Sequence, residues 1–61
     1  MPIVQIDMLE GRTVDQKRAL VKKVTEAIVE TASCPPEAVT IIIRDMAPAN
    51  LGKAGKLRSD M

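Results

Sequence analysis

The feature that most constrains this chain is a long amphipathic stretch set between two short strand-like runs. Within residues 13 to 32, Leu20, Val24, Ala27, Ile28 and Thr31 recur at helical spacing and make one stripe, widened by Val21 and Ala32. Lys17, Arg18, Lys22, Lys23, Glu26 and Glu30 occupy much of the remainder. Thr13-Val14-Asp15-Gln16 reads as a capping box, and Asp15 suits the positive end of the helix dipole. Two prolines, Pro35 and Pro36, stop the pattern. Before the helix, residues 2 to 9 alternate, with Val4, Ile6 and Met8 on one face and Ile3, Gln5, Asp7 and Leu9 on the other. Glu10-Gly11 supplies the turn between them. After the helix, residues 39 to 45 are short and β-branched, a second strand. Strand, helix, strand predicts a βαβ unit with parallel strands and a right-handed crossover.

Such a unit is not self-sufficient at this length. A chain of 61 residues buries only about 60% of the surface its unfolded form exposes. A two-stranded parallel sheet also needs cover on both faces. The chain has one cysteine and no histidine, which excludes an intrachain disulfide and argues against a four-ligand zinc site. Self-association is the remaining remedy. Residues 47 to 61 are polar and glycine-bearing; they suit either a turn with a short hairpin or an arm that docks on a neighbour.

Charge and composition remove several classes of function. The formal net charge is +1, and Phe, Trp and Tyr are absent. Nothing therefore steers the chain to nucleic acid or stacks a base. No apolar run approaches the roughly 20 residues that span a bilayer, and no secretory signal is expected. A lone thiol, Cys34, suits a reducing cytosol. The expectation is a soluble, cytoplasmic, oligomeric protein of one domain, residues 1 to 61.

Familiar catalytic machinery is missing: there is no histidine base, phosphate loop or dinucleotide fingerprint. Cys34 has no imidazole to activate it. What stands out is Pro2 directly after Met1. Removal of an initiator methionine is usual ahead of a small residue or proline, and it would leave Pro2 with a free secondary amine. An α-amino group titrates at about 7.7 to 8; an apolar site and a nearby cation both disfavour its protonated form. Such an amine is a base poised for proton transfer.

Met1-Pro2-Ile3, Leu9-Glu10-Gly11-Arg12, Gln16-Lys17, Thr25-Glu26-Ala27-Ile28, Ile41-Ile42, Met46-Ala47 and the closing Gly52 and Gly55 resemble the 4-oxalocrotonate tautomerase family over essentially the whole chain. The resemblance implies an α/β subunit, one βαβ unit with a short C-terminal hairpin, whose parallel strands join a second copy's in a four-stranded dimer. Three such dimers would make a hexamer. It implies isomerase activity without a cofactor or metal, on an enol or dienol carboxylate. The amino-terminal proline, Pro2 here, moves the proton. The arginine of Leu-Glu-Gly-Arg, Arg12, grips a substrate carboxylate as a planar fork.

Two positions depart from the best-known members. The place of a second carboxylate-binding arginine is held by Thr40, which offers a neutral hydrogen bond. The place of a phenylalanine wall is held by the smaller Leu51. Arg44 shares Thr40's strand face but lies about 13 Å further along, a poor substitute. Lys53, Lys56 and Arg58 are candidates for the missing charge. Thr40 by itself points to weakened activity on a dienol diacid and to a monocarboxylate substrate, such as a 2-hydroxydienoate or an arylpyruvate enol. Two alternatives follow from the same scaffold. One is a non-catalytic oligomer that binds small acids. The other is a proline-dependent hydratase or dehalogenase, with Asp7 or Glu10 as the carboxylate that activates water.

Overall fold

A computed structural model describes residues 1–61. The chain runs β1 (Ile3–Leu9), α1 (Val14–Ala32) and β2 (Thr40–Met46), then a ribbon of β3 (Gly52–Lys53) and β4 (Lys56–Leu57). Single 3-10 turns occupy Pro36–Ala38, Pro48–Asn50 and Arg58–Asp60. β1 and β2 pair in parallel, from Ile3 opposite Thr40 to Leu9 opposite Met46. This is the expected βαβ unit with its C-terminal hairpin.

The alternation of β1 is realised as a difference in cover. Val4, Ile6 and Met8, with Ile41 and Ile43 of β2, are half-buried on the helix side. Ile3, Gln5 and Asp7, with Thr40, Ile42 and Arg44, form an exposed face on the other side. Thr13 caps α1 as its pattern predicts. The Gln16 N–H donates to Thr13 Oγ1 at 3.1 Å, and the Thr13 N–H donates to Gln16 Oε1 at 2.8 Å. At the other end Ser33 takes a left-handed conformation, φ 54°, so the helix is already turned aside before the prolines are reached.

The covered side of the helix is rotated from the expected stripe. Leu20, Val21, Val24 and Ile28 are half-buried as the spacing predicts, but Ala27, Thr31 and Ala32 are exposed. Lys17, Thr25 and Val29 are half-buried in their place. Lys17 is drawn in because its Nζ lies 2.6 Å from Asp45 Oδ2 on the helix side of β2. Thr25 and Val29 line a groove of about 340 Å³ with Val21, Lys22, Glu26 and Pro36. Two adjoining stripes therefore exist, one over the sheet and one along this groove.

None of the 61 residues is buried, and Ile3 keeps 60% of its surface exposed. The accessible surface is 4734 Å², against about 3,900 Å² for a compact monomer of this mass. The radius of gyration is 14.6 Å, where a compact 61-residue chain has about 10.5 Å. Residues 49–61 are all exposed. They fold on one another, the Arg58 N–H donating to the Leu51 carbonyl at 2.8 Å, and they project from the βαβ body as an arm.

Candidate active site

The expected site residues fall into two groups at opposite ends of the sheet. Pro2 immediately precedes β1 and is half-buried. Its carbonyl accepts from the Thr40 N–H at 3.0 Å. That bond pins the start of the chain beside the first residue of β2. Met1 is 91% exposed, so the bond that joins it to Pro2 stands at the surface. Around Pro2 the outer sheet face carries Ile3, Gln5, Thr40 and Ile42, all uncharged.

Arg12 lies at the other end. Because β1 and β2 are parallel, the Glu10-Gly11-Arg12 loop and the exit of β2 share one edge, and the Glu10 N–H donates to the Met46 carbonyl at 2.9 Å. Gly11 takes φ 121°, a turn that a side chain would resist. Arg12 Nη1 donates to the Leu9 carbonyl at 3.2 Å, and the guanidinium enters no ion pair. Most of its five donors are therefore available to a carboxylate. Arg12 borders a depression of about 240 Å³ with Met8, Gln16, Lys17 and Leu20. Leu51 follows the turn after β2, is 36% exposed, and is bonded within the arm, its carbonyl accepting from the Arg58 N–H.

The seven residues of β1 lie between Pro2 and Arg12, and a strand of that length spans roughly 23 Å. No six-carbon diacid reaches both groups within one chain. One copy thus brings Pro2 together with Thr40 but leaves Arg12 at the far end of β1. Arg12 also has no influence on the Pro2 nitrogen of its own chain at this separation.

The other titratable groups stay apart from Pro2. Asp7 faces Arg44 across the outer sheet face at 3.9 Å, and Glu10 sits at the Arg12 end, so neither carboxylate is placed beside Pro2. Arg44 is engaged with Asp7 rather than turned toward Thr40. Cys34 is half-buried and free. The Lys17–Asp45 pair was not legible in advance. Its residues stand 28 positions apart, and only the turn of the helix over the strands brings them together.

Comparison with known proteins gives a consistent result. The chain matches the family model for tautomerase enzymes over residues 2–61. It is 49% identical over 61 residues to the 2-hydroxymuconate tautomerase of Bacillus subtilis, covering 100% of this chain and 98% of that protein. Its structure superposes on the crystal structure of a homologue of 4-oxalocrotonate tautomerase with a TM-score of 0.95, at 48% identity over 98% of both chains. It is also similar, at 34% identity and a TM-score of 0.83, to a solved chain studied for trans-3-chloroacrylic acid dehalogenase activity, covering 92% of this chain and 97% of that one. A capped helix behind an N-terminal proline strand, a glycine turn that presents an unpaired arginine, and full-length similarity of this degree converge: the chain belongs to the 4-oxalocrotonate tautomerase family and is an isomerase of the tautomerase type.

Proposed function

We propose that this tautomerase works from composite sites, each built from the Pro2 end of one copy and the Arg12 end of another. The observation that carries the reading is the seven-residue strand between the two groups. An isologous two-fold axis turns one sheet end against the other, so that Arg12 and Leu51 of one copy approach Pro2 and Thr40 of the next. The lack of any buried residue in the single chain supports the same arrangement. Pairing the sheets in a dimer, and three dimers in a hexamer, would cover the outer face that carries Ile3 and Ile42.

The chemistry needs no cofactor. With Met1 removed, the neutral Pro2 amine takes the hydroxyl proton of a 2-hydroxydienoate. Its O–H bond breaks, an N–H bond forms, and negative charge spreads over the conjugated system. Arg12 holds a carboxylate and draws that charge toward itself. The ammonium of Pro2 then returns the proton to a distant carbon, leaving the conjugated ketone. Thr40 offers a neutral hydrogen bond beside the reacting end, and Leu51 an apolar wall.

The test uses protein shown by intact mass to begin at Pro2, assayed on 2-hydroxymuconate and on a monoacid 2-hydroxydienoate. Activity that falls as the pH is lowered through the titration of the amine, and that disappears in Pro2→Ala, is the expected result. Full activity in Pro2→Ala would sink the general-base reading. A correctly processed oligomer with no turnover of either substrate would move the chain to the small-acid-binding alternative.

A further inference from the structure

Two charged residues stand where the patterns of their own elements call for apolar ones. Lys17 leads Leu20, Val21 and Val24 at helical spacing and is half-buried with them. Asp45 follows Ile41 and Ile43 at strand spacing, on the helix side of β2. Each is the other's partner, Lys17 Nζ lying 2.6 Å from Asp45 Oδ2, with 28% and 39% of the two side chains exposed. An ion pair this accessible contributes little to stability, and an apolar pair at the same two places would stabilise the fold at least as well. What the ion pair adds is direction, because it holds two elements in one alignment.

The alignment it holds is that of the loop carrying Arg12. On the β1 side, the loop is fastened to the exit of β2 by the Glu10 N–H, which donates to the Met46 carbonyl at 2.9 Å. On the helix side the loop ends at Thr13, whose carbonyl accepts from the Lys17 N–H at 3.1 Å. Asp45 is the chain neighbour of Met46. One end of β2 therefore grips both sides of the loop, Met46 through the backbone and Asp45 through the Lys17 side chain. Arg12 itself is held by the Leu9 carbonyl alone, and Gly11 beside it has no side chain to pack. Lys17 also lines the depression that Arg12 borders, as does Met8, and Met8 is the residue opposite Asp45 in the sheet register.

We propose that Lys17 and Asp45 are positioning residues for Arg12, holding its loop in the alignment that lets the guanidinium meet a substrate carboxylate. The inference rests on the reading of Arg12 as the carboxylate clamp. Neither side chain of the pair touches the substrate. Asp45 also balances the ammonium of Lys17, so Arg12 is the unpaired cation of that depression. Loss of the alignment weakens substrate binding, while the proton transfer at Pro2 is left in place.

The experiment measures KM and kcat for 2-hydroxymuconate in the chain beginning at Pro2, with the assembly checked by sedimentation. Asp45→Asn and Lys17→Met are each expected to raise KM about three- to fivefold, the range of a partly exposed ion pair, with kcat changed less. Lys17→Arg should keep the parent KM. A charge effect alone gives opposite signs, because Asp45→Asn leaves a second unpaired cation beside Arg12; a lowered KM in that variant would overturn the proposal. Lys17→Met/Asp45→Leu separates positioning from plain stability. It should unfold in urea no more easily than the parent chain and still show the raised KM, and a parent-like KM there would also overturn the proposal. In an Arg12→Ala background Asp45→Asn should add nothing further to KM; an equal rise with and without Arg12 would count against the assignment. If Arg12→Ala itself leaves KM unchanged, the clamp reading fails and takes this one with it. If Arg12→Ala raises KM while the variants of the pair do not, only the role of the pair fails.

Discussion

The two ends of the sheet are built on opposite plans. At the Pro2 end the chain is neutral on its outer face and held by one backbone bond, from the Thr40 N–H to the Pro2 carbonyl. At the Arg12 end it carries charges of both signs, Glu10, Arg12, Lys17 and Asp45 among them, and is tied down repeatedly. Glu10 is bonded to Met46, Arg12 to Leu9, Thr13 to Gln16 in both directions, and Lys17 to Asp45. The difference teaches a division of labour. A base that must lose its proton readily benefits from apolar surroundings until a substrate arrives, whereas a carboxylate clamp must be rigid and charged. Under the composite-site proposal, separating the two by the length of a strand would keep the cation away from its own chain's amine until assembly brought it to another's.

The strongest way to break this comparison is to replace the secondary amine proposed as the base with the primary amine of another residue. Pro2→Ala should lower kcat by about 10²- to 10⁴-fold, measured on 2-hydroxymuconate with the oligomer intact. Next is Arg12→Ala, expected to reduce kcat/KM by at least about tenfold through the lost charge-assisted contact. Co-refolding Pro2→Ala with Arg12→Ala sharpens the point. If sites are shared between copies, the mixture should recover activity well above the sum of the two variants; if each chain carried a whole site, it would recover none.

Smaller effects probe how firmly the Arg12 end is tied. Thr13→Ala removes one half of the capping box and should cost about 1 kcal/mol in urea unfolding, with KM raised because the Arg12 loop enters the helix through that cap. At the small end, Ala54→Gly relieves a left-handed Cβ but adds freedom to the unfolded chain, and a net gain of a few tenths of a kcal/mol is expected by the same method. A loss there would mean that the arm is held by contacts other than its own turn.

The parts of this molecule governed by neighbours in sequence were readable from the sequence. The capping box needs only Thr13 and Gln16 three residues apart, and the alternation of β1 needs only its own side chains. The parallel register follows once one helix joins two strands. The rotated helix side was not readable, because Lys17 is pulled inward by Asp45 and Val29 by the turn at Pro36, both distant in sequence. The left-handed residues Ser33 and Ala54 escape notice because neither is the glycine that usually marks such a position. For the site, the residues were nameable from their resemblance to a family, but their distribution over two ends became evident only with the strand laid out between them. The opposition of Lys53 and Lys56 depends on a ribbon register that a two-residue strand is too short to announce.

The absence of any buried residue in the single chain has a consequence for how the enzyme behaves when dilute. If interior and active site are both made by association, folding, assembly and turnover share one equilibrium, and stability cannot be separated from protomer concentration. Specific activity is then itself a function of dose: halving the amount of chain near the assembly threshold removes more than half the rate. Turnover would then respond more steeply than linearly to the amount of chain present.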